Sequence, residues 1–157
     1  MSRHGMLDER DLFGLPPRVR ELVLFACTHM SRSYKPVVLS LIVGLADARG
    51  RVSIEALAHQ FYGFYLNREL LGLPVERRPF ALDPPSRSNV KEAEALLRRY
   101  PLARFAKAGH LASLGRRTVL LAPAVLASQL TGEARTLAVE CCWRAVTRYY
   151  DLLEARR

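Results

Sequence analysis

Residues 88–121 read SNVKEAEALLRRYPLARFAKAGHLASLGRRTVLL, and this stretch decides the fold. Asn89 with Glu92 three residues later resembles a capping box, with Ser88 as a rival cap, so a helix is predicted to begin here. The helix is expected to stop at Pro101, because the residue before a proline is disfavoured in helical geometry.

A β-hairpin is predicted after this proline. Phe105–Ser113 and Arg117–Leu121 are short segments on either side of Leu114-Gly115-Arg116. The apolar residues of Val119–Leu121 suit a buried strand. The basic pair Arg116-Arg117 would then lie at or beside the turn.

Three further helices are predicted before this stretch. Pro16 and Pro17 suit a first helical turn, and apolar residues at three- and four-residue spacing continue that helix to about Met30. Ser33 is the expected cap of a second helix, which is apolar on most sides and therefore predicted to be central. Ser53 is the expected cap of a third helix.

The remaining segments are predicted as links and short elements. Arg51-Val52 is expected to be an extended link, and the four prolines of Gly72–Pro85 predict an irregular loop. A short helix is expected after Pro123, and Thr131 is expected to begin the last and longest helix.

This order of elements predicts a mainly α fold. A flexible arm is expected over residues 1–15, followed by a single helical, winged-helix-like domain with a small β-hairpin over residues 16–157. Domains of this kind place one helix in the major groove of DNA while the hairpin touches the backbone.

Positive charge is concentrated in the same region. Pro84–Thr118 contains eight basic and two acidic residues, a local charge of +6 out of +9 for the whole chain. Residues 1–83 and 119–157 contribute only +2 and +1. Charge gathered in one segment is typical of a surface that meets phosphates.

Eight residues of this region are predicted to contact nucleic acid, with DNA favoured over RNA. Because asparagine and arginine suit adenine and guanine edges, base contacts are predicted for Asn89, Lys91 and Arg98. Phosphate contacts are predicted for Arg99, Arg104, Lys107, Arg116 and Arg117.

Two carboxylates weaken the helix as a contact surface. Glu92 and Glu94 would repel phosphates unless they pair with Lys91 or Arg98, and Glu94–Arg98 is a favourable i,i+4 pair. The hairpin is therefore the stronger predicted contact. The alternatives are an ordinary solvated face of an arginine-rich protein and a surface for an acidic protein partner.

Two groups of aromatic residues allow more than one interpretation. Phe61-Tyr62-Gly63-Phe64-Tyr65 would either stack on unpaired bases or fill the core side of a helix, and the spacing favours the core. The same two interpretations apply to three aromatic residues of the C-terminal helix: Trp143, Tyr149 and Tyr150. This helix is also predicted to contact a protein partner or a second copy of the chain.

The sequence predicts no enzyme, no metal site and no cofactor. The four histidines are scattered, and neither a phosphate-binding glycine loop nor a nucleophile elbow is found. The three cysteines form no CxxC pair and are predicted as buried, reduced thiols. Because the sequence contains no membrane-spanning run and no signal peptide, we expect a cytoplasmic protein without a membrane partner.

Four short blocks carry a resemblance to known proteins: SYKPVVL from Ser33, GRVS from Gly50, FYGFYLNRE from Phe61 and GLPVE from Gly72. Together, over about Ser33 to Phe105, they resemble a helical accessory segment of bacterial restriction- and defence-type proteins, found beside helicase or endonuclease domains. The resemblance implies an accessory subunit that acts near nucleic acid, and it assigns no catalytic residue.

We therefore expect a non-catalytic nucleic-acid-binding accessory protein. The alternative is a protein-interaction or scaffold subunit of a larger bacterial complex.

Overall fold

The computed structural model describes residues 12–156. The predicted arm over residues 1–15 therefore lies mostly outside the described residues. At its end, Leu15 is buried, and the Arg20 guanidinium donates to the carbonyls of Leu12 and Leu15.

The chain is mainly helical and carries a small three-stranded antiparallel sheet. The helices are α1 (Pro17–Cys27), α2 (Tyr34–Leu45), α3 (Ile54–Leu70), α4 (Val90–Leu97), α5 (Ala103–Lys107), α6 (Val125–Gln129) and α7 (Gly132–Ala155). The strands are β1 (Arg51–Ser53), β2 (Leu111–Ser113) and β3 (Thr118–Leu121). A short 3₁₀ turn covers Pro85–Arg87.

Two of the predicted helix caps are confirmed and one is wrong. The side chains of Ser53 and Asn89 accept hydrogen bonds from the amides of Ala56 and Glu92, which are N–H groups that the helix itself leaves unpaired. Ser33 precedes α2 without capping it. Its hydroxyl is buried and is bonded to other parts of the molecule instead.

The predicted hairpin is confirmed, but its first strand is shorter than the predicted segment Phe105–Ser113, because residues 105–107 belong to α5 and only Leu111–Ser113 pair with β3. The link before α3 proves to be part of the same sheet. β3 pairs with β2 on one side and with β1 on the other, with Val52 opposite Val119. Both of these valines face the core and are buried. The pairing ties the hairpin to the start of α3 through a bond from the Ile54 amide to the Arg117 carbonyl.

Helix α2 is central, as predicted. Val37, Val38, Leu39 and Ile42 are all fully buried, and the helix packs against α1, α3 and α7. The three cysteines are also buried and free of disulfides. An apolar helix enclosed by its neighbours supplies most of the driving force for folding.

The predicted helix stop at Pro101 is wrong. Residues Arg98–Leu102 form a single π-helical turn, and the chain continues directly into α5. A proline cannot donate the hydrogen bond of an α-helix, but the wider i→i+5 turn accommodates the missing N–H without ending the helix. Residues 90–107 are therefore one bent unit, called here the basic helical unit.

We expect Gly50 to be the glycine most sensitive to substitution. Its φ is +81°, and a β-carbon there would lie 2.9 Å from the Ala127 Cβ and 3.2 Å from the Leu121 Cβ. Gly50→Ala should lower the free energy of unfolding by about 2–4 kcal/mol, measured by urea denaturation, because left-handed strain and overpacking add.

The matched control for this prediction is Gly72→Ala. Gly72 also has a positive φ, +71°, but a β-carbon added there would meet no atom within 4 Å. Its substitution should lower the free energy of unfolding only by the strain of the left-handed backbone, about 1–2 kcal/mol. Equal losses for the two variants would show that the contact with Ala127 and Leu121 is unimportant.

Candidate functional site

The basic helical unit and the hairpin lie next to each other and expose most of the predicted site. On the helical unit, Ala93, Leu97 and Phe105 are buried, which turns the charged positions between them outward. Seven of the eight predicted residues are cations, and all eight are exposed: Asn89, Lys91, Arg98, Arg99, Arg104, Lys107, Arg116 and Arg117.

Arg98 connects the two elements. Its Nε donates to Glu94 Oε2 at 3.1 Å, which confirms the predicted i,i+4 pair, and its Nη2 donates to the Arg116 carbonyl at 2.7 Å. One guanidinium thus ties α4 to the hairpin turn. A planar group with several fixed donors suits such a double contact. In this structure Arg98 positions the hairpin, and two of the five N–H groups of its guanidinium are engaged in doing so.

Asn89 also has an intramolecular role. Its side-chain oxygen accepts from the Glu92 amide at 2.9 Å, and its Nδ2 donates to Glu92 Oε1 at 3.4 Å. Both ends of the amide are engaged in the capping interaction. Of the three predicted base-contact residues, Lys91 alone has a side chain with no hydrogen bond or ion pair to the described residues.

The remaining cations carry charge that the described residues leave uncompensated. The side chains of Lys107, Arg116 and Arg117 are exposed and form no hydrogen bond or ion pair within residues 12–156. The Arg99 guanidinium lies 6.0 Å from the centre of the Tyr100 ring. No acidic residue occurs between Glu94 and Glu133 in the sequence. The surface is therefore suited to a polyanion.

A cavity of about 500 Å³ opens beside the basic helical unit. Arg104 lies at its edge, and the residues before and at the start of α2 contribute Arg32, Tyr34 and Lys35. The loop between α3 and α4 contributes Phe80. Sequence reasoning missed this cavity. One available signal was Lys35, a charged residue in a helix that is apolar on most sides.

Lys35 is held in place against the end of α1. Its ammonium donates to the carbonyls of Phe25 at 2.8 Å and Thr28 at 3.2 Å, near the C-terminus of that helix. It also lies 4.6 Å from the centre of the Phe25 ring. Partial burial, together with the nearby charge of Arg104, lowers the pKa of Lys35.

A buried polar cluster anchors the loop that walls this cavity. Glu76, which is 9% exposed, accepts hydrogen bonds from the Ser33 amide at 2.9 Å, the Ser33 hydroxyl and the Tyr149 hydroxyl. The Tyr65 hydroxyl is 2.7 Å from the Ser33 hydroxyl, and the Tyr150 hydroxyl donates to the Val75 carbonyl. The cluster links α2, α3, α7 and the loop.

Burial raises the pKa values of the tyrosines in and around this cluster. Desolvation is the main cause for Tyr34, Tyr65, Tyr149 and Tyr150, and the charge of Glu76 adds to it because a second anion nearby is unfavourable. The hydroxyls of Tyr65, Tyr149 and Tyr150 therefore keep their protons and act as hydrogen-bond donors to the Ser33 hydroxyl, Glu76 and the Val75 carbonyl.

The aromatic residues are mostly part of the core, as the spacing of 61–65 predicts. Phe61 and Tyr65 are fully buried, and Tyr149 and Tyr150 are nearly so, which removes these two from any surface on α7. Trp143 remains 38% exposed and packs beside Phe64. A partner or a second copy of the chain at α7 stays a prediction that rests on Trp143.

Within residues 12–156, no three histidine, cysteine, aspartate or glutamate side chains are grouped as metal ligands. None of the helices described there combines the length and the apolar run that crossing a bilayer requires.

Comparison with known protein families found no matching family model, and comparisons with curated proteins and with solved structures found no match. The resemblance to the bacterial accessory segment stays a prediction.

We expect the free energy of unfolding to fall as the pH rises above about 10. Tyrosines ionise near that pH in the unfolded chain, whereas the folded chain holds their protons, so the stabilisation is complete below pH ~10 and is lost above it. Tyr149→Phe should weaken this alkaline loss in urea titrations. It should also cost about 1–3 kcal/mol at neutral pH, because it removes a donor to buried Glu76.

The control for the tyrosine prediction is Tyr100→Phe, since Tyr100 is 44% exposed. This variant should leave neutral stability within about 0.5 kcal/mol of the parent. A Tyr149→Phe variant with unchanged neutral stability would mean that the hydroxyl contributes nothing to holding Glu76.

We expect Arg98→Gln to loosen the hairpin turn. The variant loses the bond to the Arg116 carbonyl, so the amide of Leu114, which donates to the Thr118 carbonyl, should exchange with deuterium about tenfold faster. Lys91→Gln is the control, because Lys91 lies on the same unit without a contact to the hairpin. Equal exchange in both variants would contradict a positioning role for Arg98.

Proposed function

We propose that this chain is a non-catalytic nucleic-acid-binding protein, with DNA as the favoured ligand, which docks through the basic helical unit and the hairpin. The observation that carries the proposal is the bond from Arg98 to the Arg116 carbonyl. It holds the hairpin against α4, so the unpaired charges of Arg116 and Arg117 adjoin those of the helical unit. Phosphates are the ligands that such a continuous cationic surface attracts.

A winged-helix-like arrangement is part of the proposal and is supported by topology. From α2 to β3 the order of elements is helix, strand, helix, helical unit and hairpin, and the sheet order is β1-β3-β2. In this arrangement the basic helical unit enters the major groove, and the hairpin lies along the backbone.

The residues divide into three roles. Lys91 is the remaining candidate for a base contact, and Asn89 and Arg98 support it by fixing the start of α4 and the hairpin. Phosphate contacts are assigned to Arg99, Arg104, Lys107, Arg116 and Arg117. This division favours affinity over sequence discrimination, because phosphate contacts carry no base information.

The resemblance to bacterial defence proteins adds a biological setting to the proposal. An accessory subunit in the cytoplasm would supply nucleic-acid affinity to a separate protein that performs the chemistry. The second candidate, a protein-interaction subunit, is favoured by the exposed leucines at the end of α3 and just after it: Leu70 is 71% exposed, Leu71 65% and Leu73 44%.

We expect Arg116→Ala combined with Arg117→Ala to weaken duplex binding by about tenfold or more, because two charge-assisted phosphate contacts are lost. The slope of log affinity against log salt should become less negative by about two. Fluorescence anisotropy with a mixed-sequence DNA duplex at several salt concentrations measures both quantities.

The matched control is Arg148→Ala combined with Arg156→Ala, which removes the same two charges from exposed positions at the end of the chain. Duplex binding that is equally weak in both double variants would mean that net charge alone matters and that the hairpin is no site. A parent chain with no duplex affinity at low salt, but with a stoichiometric protein partner in light scattering, would favour the second candidate.

A further inference from the structure

The cavity beside α5 has the dimensions of a ligand site. Its volume of about 500 Å³ lies within the usual range of small-molecule pockets, about 300–1,000 Å³. Three separate parts of the chain form its walls: residues 29–35, residues 79–81 and residues 96–104. The buried Glu76 cluster holds the second of these parts in position, so the cavity is a built feature of the fold.

The charged residues that line the cavity are all positive. Arg32, Lys35 and Arg104 line it, and none of the described residues that line it is acidic. Lys35 and Arg104 lie close enough for the charge of Arg104 to disfavour the charged form of Lys35. The positive charges of Lys35 and Arg104 repel each other, and an anionic ligand between them would reduce that repulsion.

Aromatic rings form a second part of the lining. The Tyr34 and Phe80 rings are 6.2 Å apart at a tilt of 38°, and both are largely buried. Tyr100 is 44% exposed and offers a ring at the opening. His29, also at the cavity, has a φ of +53°, a strained conformation that is often found at ligand sites.

We propose that this cavity binds a nucleotide, with the phosphate between Lys35 and Arg104 and the base stacked on Tyr100. An isolated phosphate would leave most of the volume empty, and an uncharged ring would place no anion beside Lys35 and Arg104, although Lys35 already donates to the carbonyls of Phe25 and Thr28. A nucleotide supplies both a flat ring and an anion, and either a free nucleotide or the phosphorylated end of a single strand provides that chemistry.

The proposal does not depend on duplex binding by the hairpin. The cavity shares only Arg104 with the proposed nucleic-acid surface. A parent chain that binds AMP but no duplex would retain the cavity site and remove the proposed function. A parent chain that binds duplex but neither a nucleotide nor a phosphorylated strand end would remove the cavity site and retain the proposed function.

Isothermal titration calorimetry of the full chain with AMP tests the site, with adenosine and inorganic phosphate titrated separately. We expect AMP to bind more tightly than either fragment. Tyr100→Ala should weaken AMP binding about fivefold or more through lost stacking, and Arg104→Gln about tenfold through a lost charge-assisted bond. The matched controls are Phe13→Ala and Arg148→Gln, which alter exposed residues that do not line the cavity and should leave the affinity unchanged.

A single-stranded oligonucleotide with and without a terminal phosphate distinguishes the two sources. Binding that needs the phosphate and is displaced by AMP indicates a strand end as ligand, and binding of AMP alone indicates a free nucleotide. The site is wrong if neither binds, or if the cavity variants and the control variants lose affinity equally.

Hydrogen exchange of the unaltered chain gives a test that does not depend on any variant. AMP should slow exchange at residues 29–35 and 96–104, which line the cavity. Slower exchange that is confined to other segments would overturn the assignment.

Discussion

The buried carboxylate of Glu76 is the constraint on which much of this structure depends. An ionised or strongly polar group is costly to bury unless it is hydrogen-bonded, and Glu76 accepts hydrogen bonds from Ser33, Tyr149 and the Arg77 amide. Ser33 lies just before α2 and Tyr149 lies on α7, so these bonds tie the loop after α3 to two other parts of the fold. Phe80 is thereby brought against Tyr34, and the wall of the cavity is complete.

The second constraint is the way the chain passes Pro101. A helix that stopped there would have left α5 free to take another direction. The π turn instead keeps α4 and α5 in one bent unit, with Pro101 and Leu102 buried on its inner side. Arg104 is placed beyond the bend, at the cavity edge, whereas Arg98 lies before it, within reach of the hairpin. The cavity and the exposed cations of the proposed contact surface therefore both lie along this one unit, and Arg104 belongs to both.

Local rules predicted the parts of this fold that depend on neighbouring residues. The caps at Ser53 and Asn89, the central α2 and the hairpin follow from spacing and side-chain type, because their causes lie within a few residues. The role of Ser33 was not predictable in this way, since its partner Glu76 is 43 residues distant. The pairing of β1 with β3 was missed for the same reason: a three-residue strand acquires its identity from a partner far along the chain.

The candidate site shows the same division between local and distant causes. Counting charge located the cationic region, and local spacing predicted the Asn89 cap and the Glu94–Arg98 pair, but the bond from Arg98 to the hairpin could not be predicted from neighbouring residues. Asn89 and Arg98 are engaged by Glu92, Glu94 and the Arg116 carbonyl, because a helix start and a hairpin turn both present polar groups that need partners. The carboxylates that oppose phosphate binding on the helix therefore also fix its geometry. Glu94 directs Arg98 toward the hairpin. Arg98 in turn holds the turn that carries the cations Arg116 and Arg117.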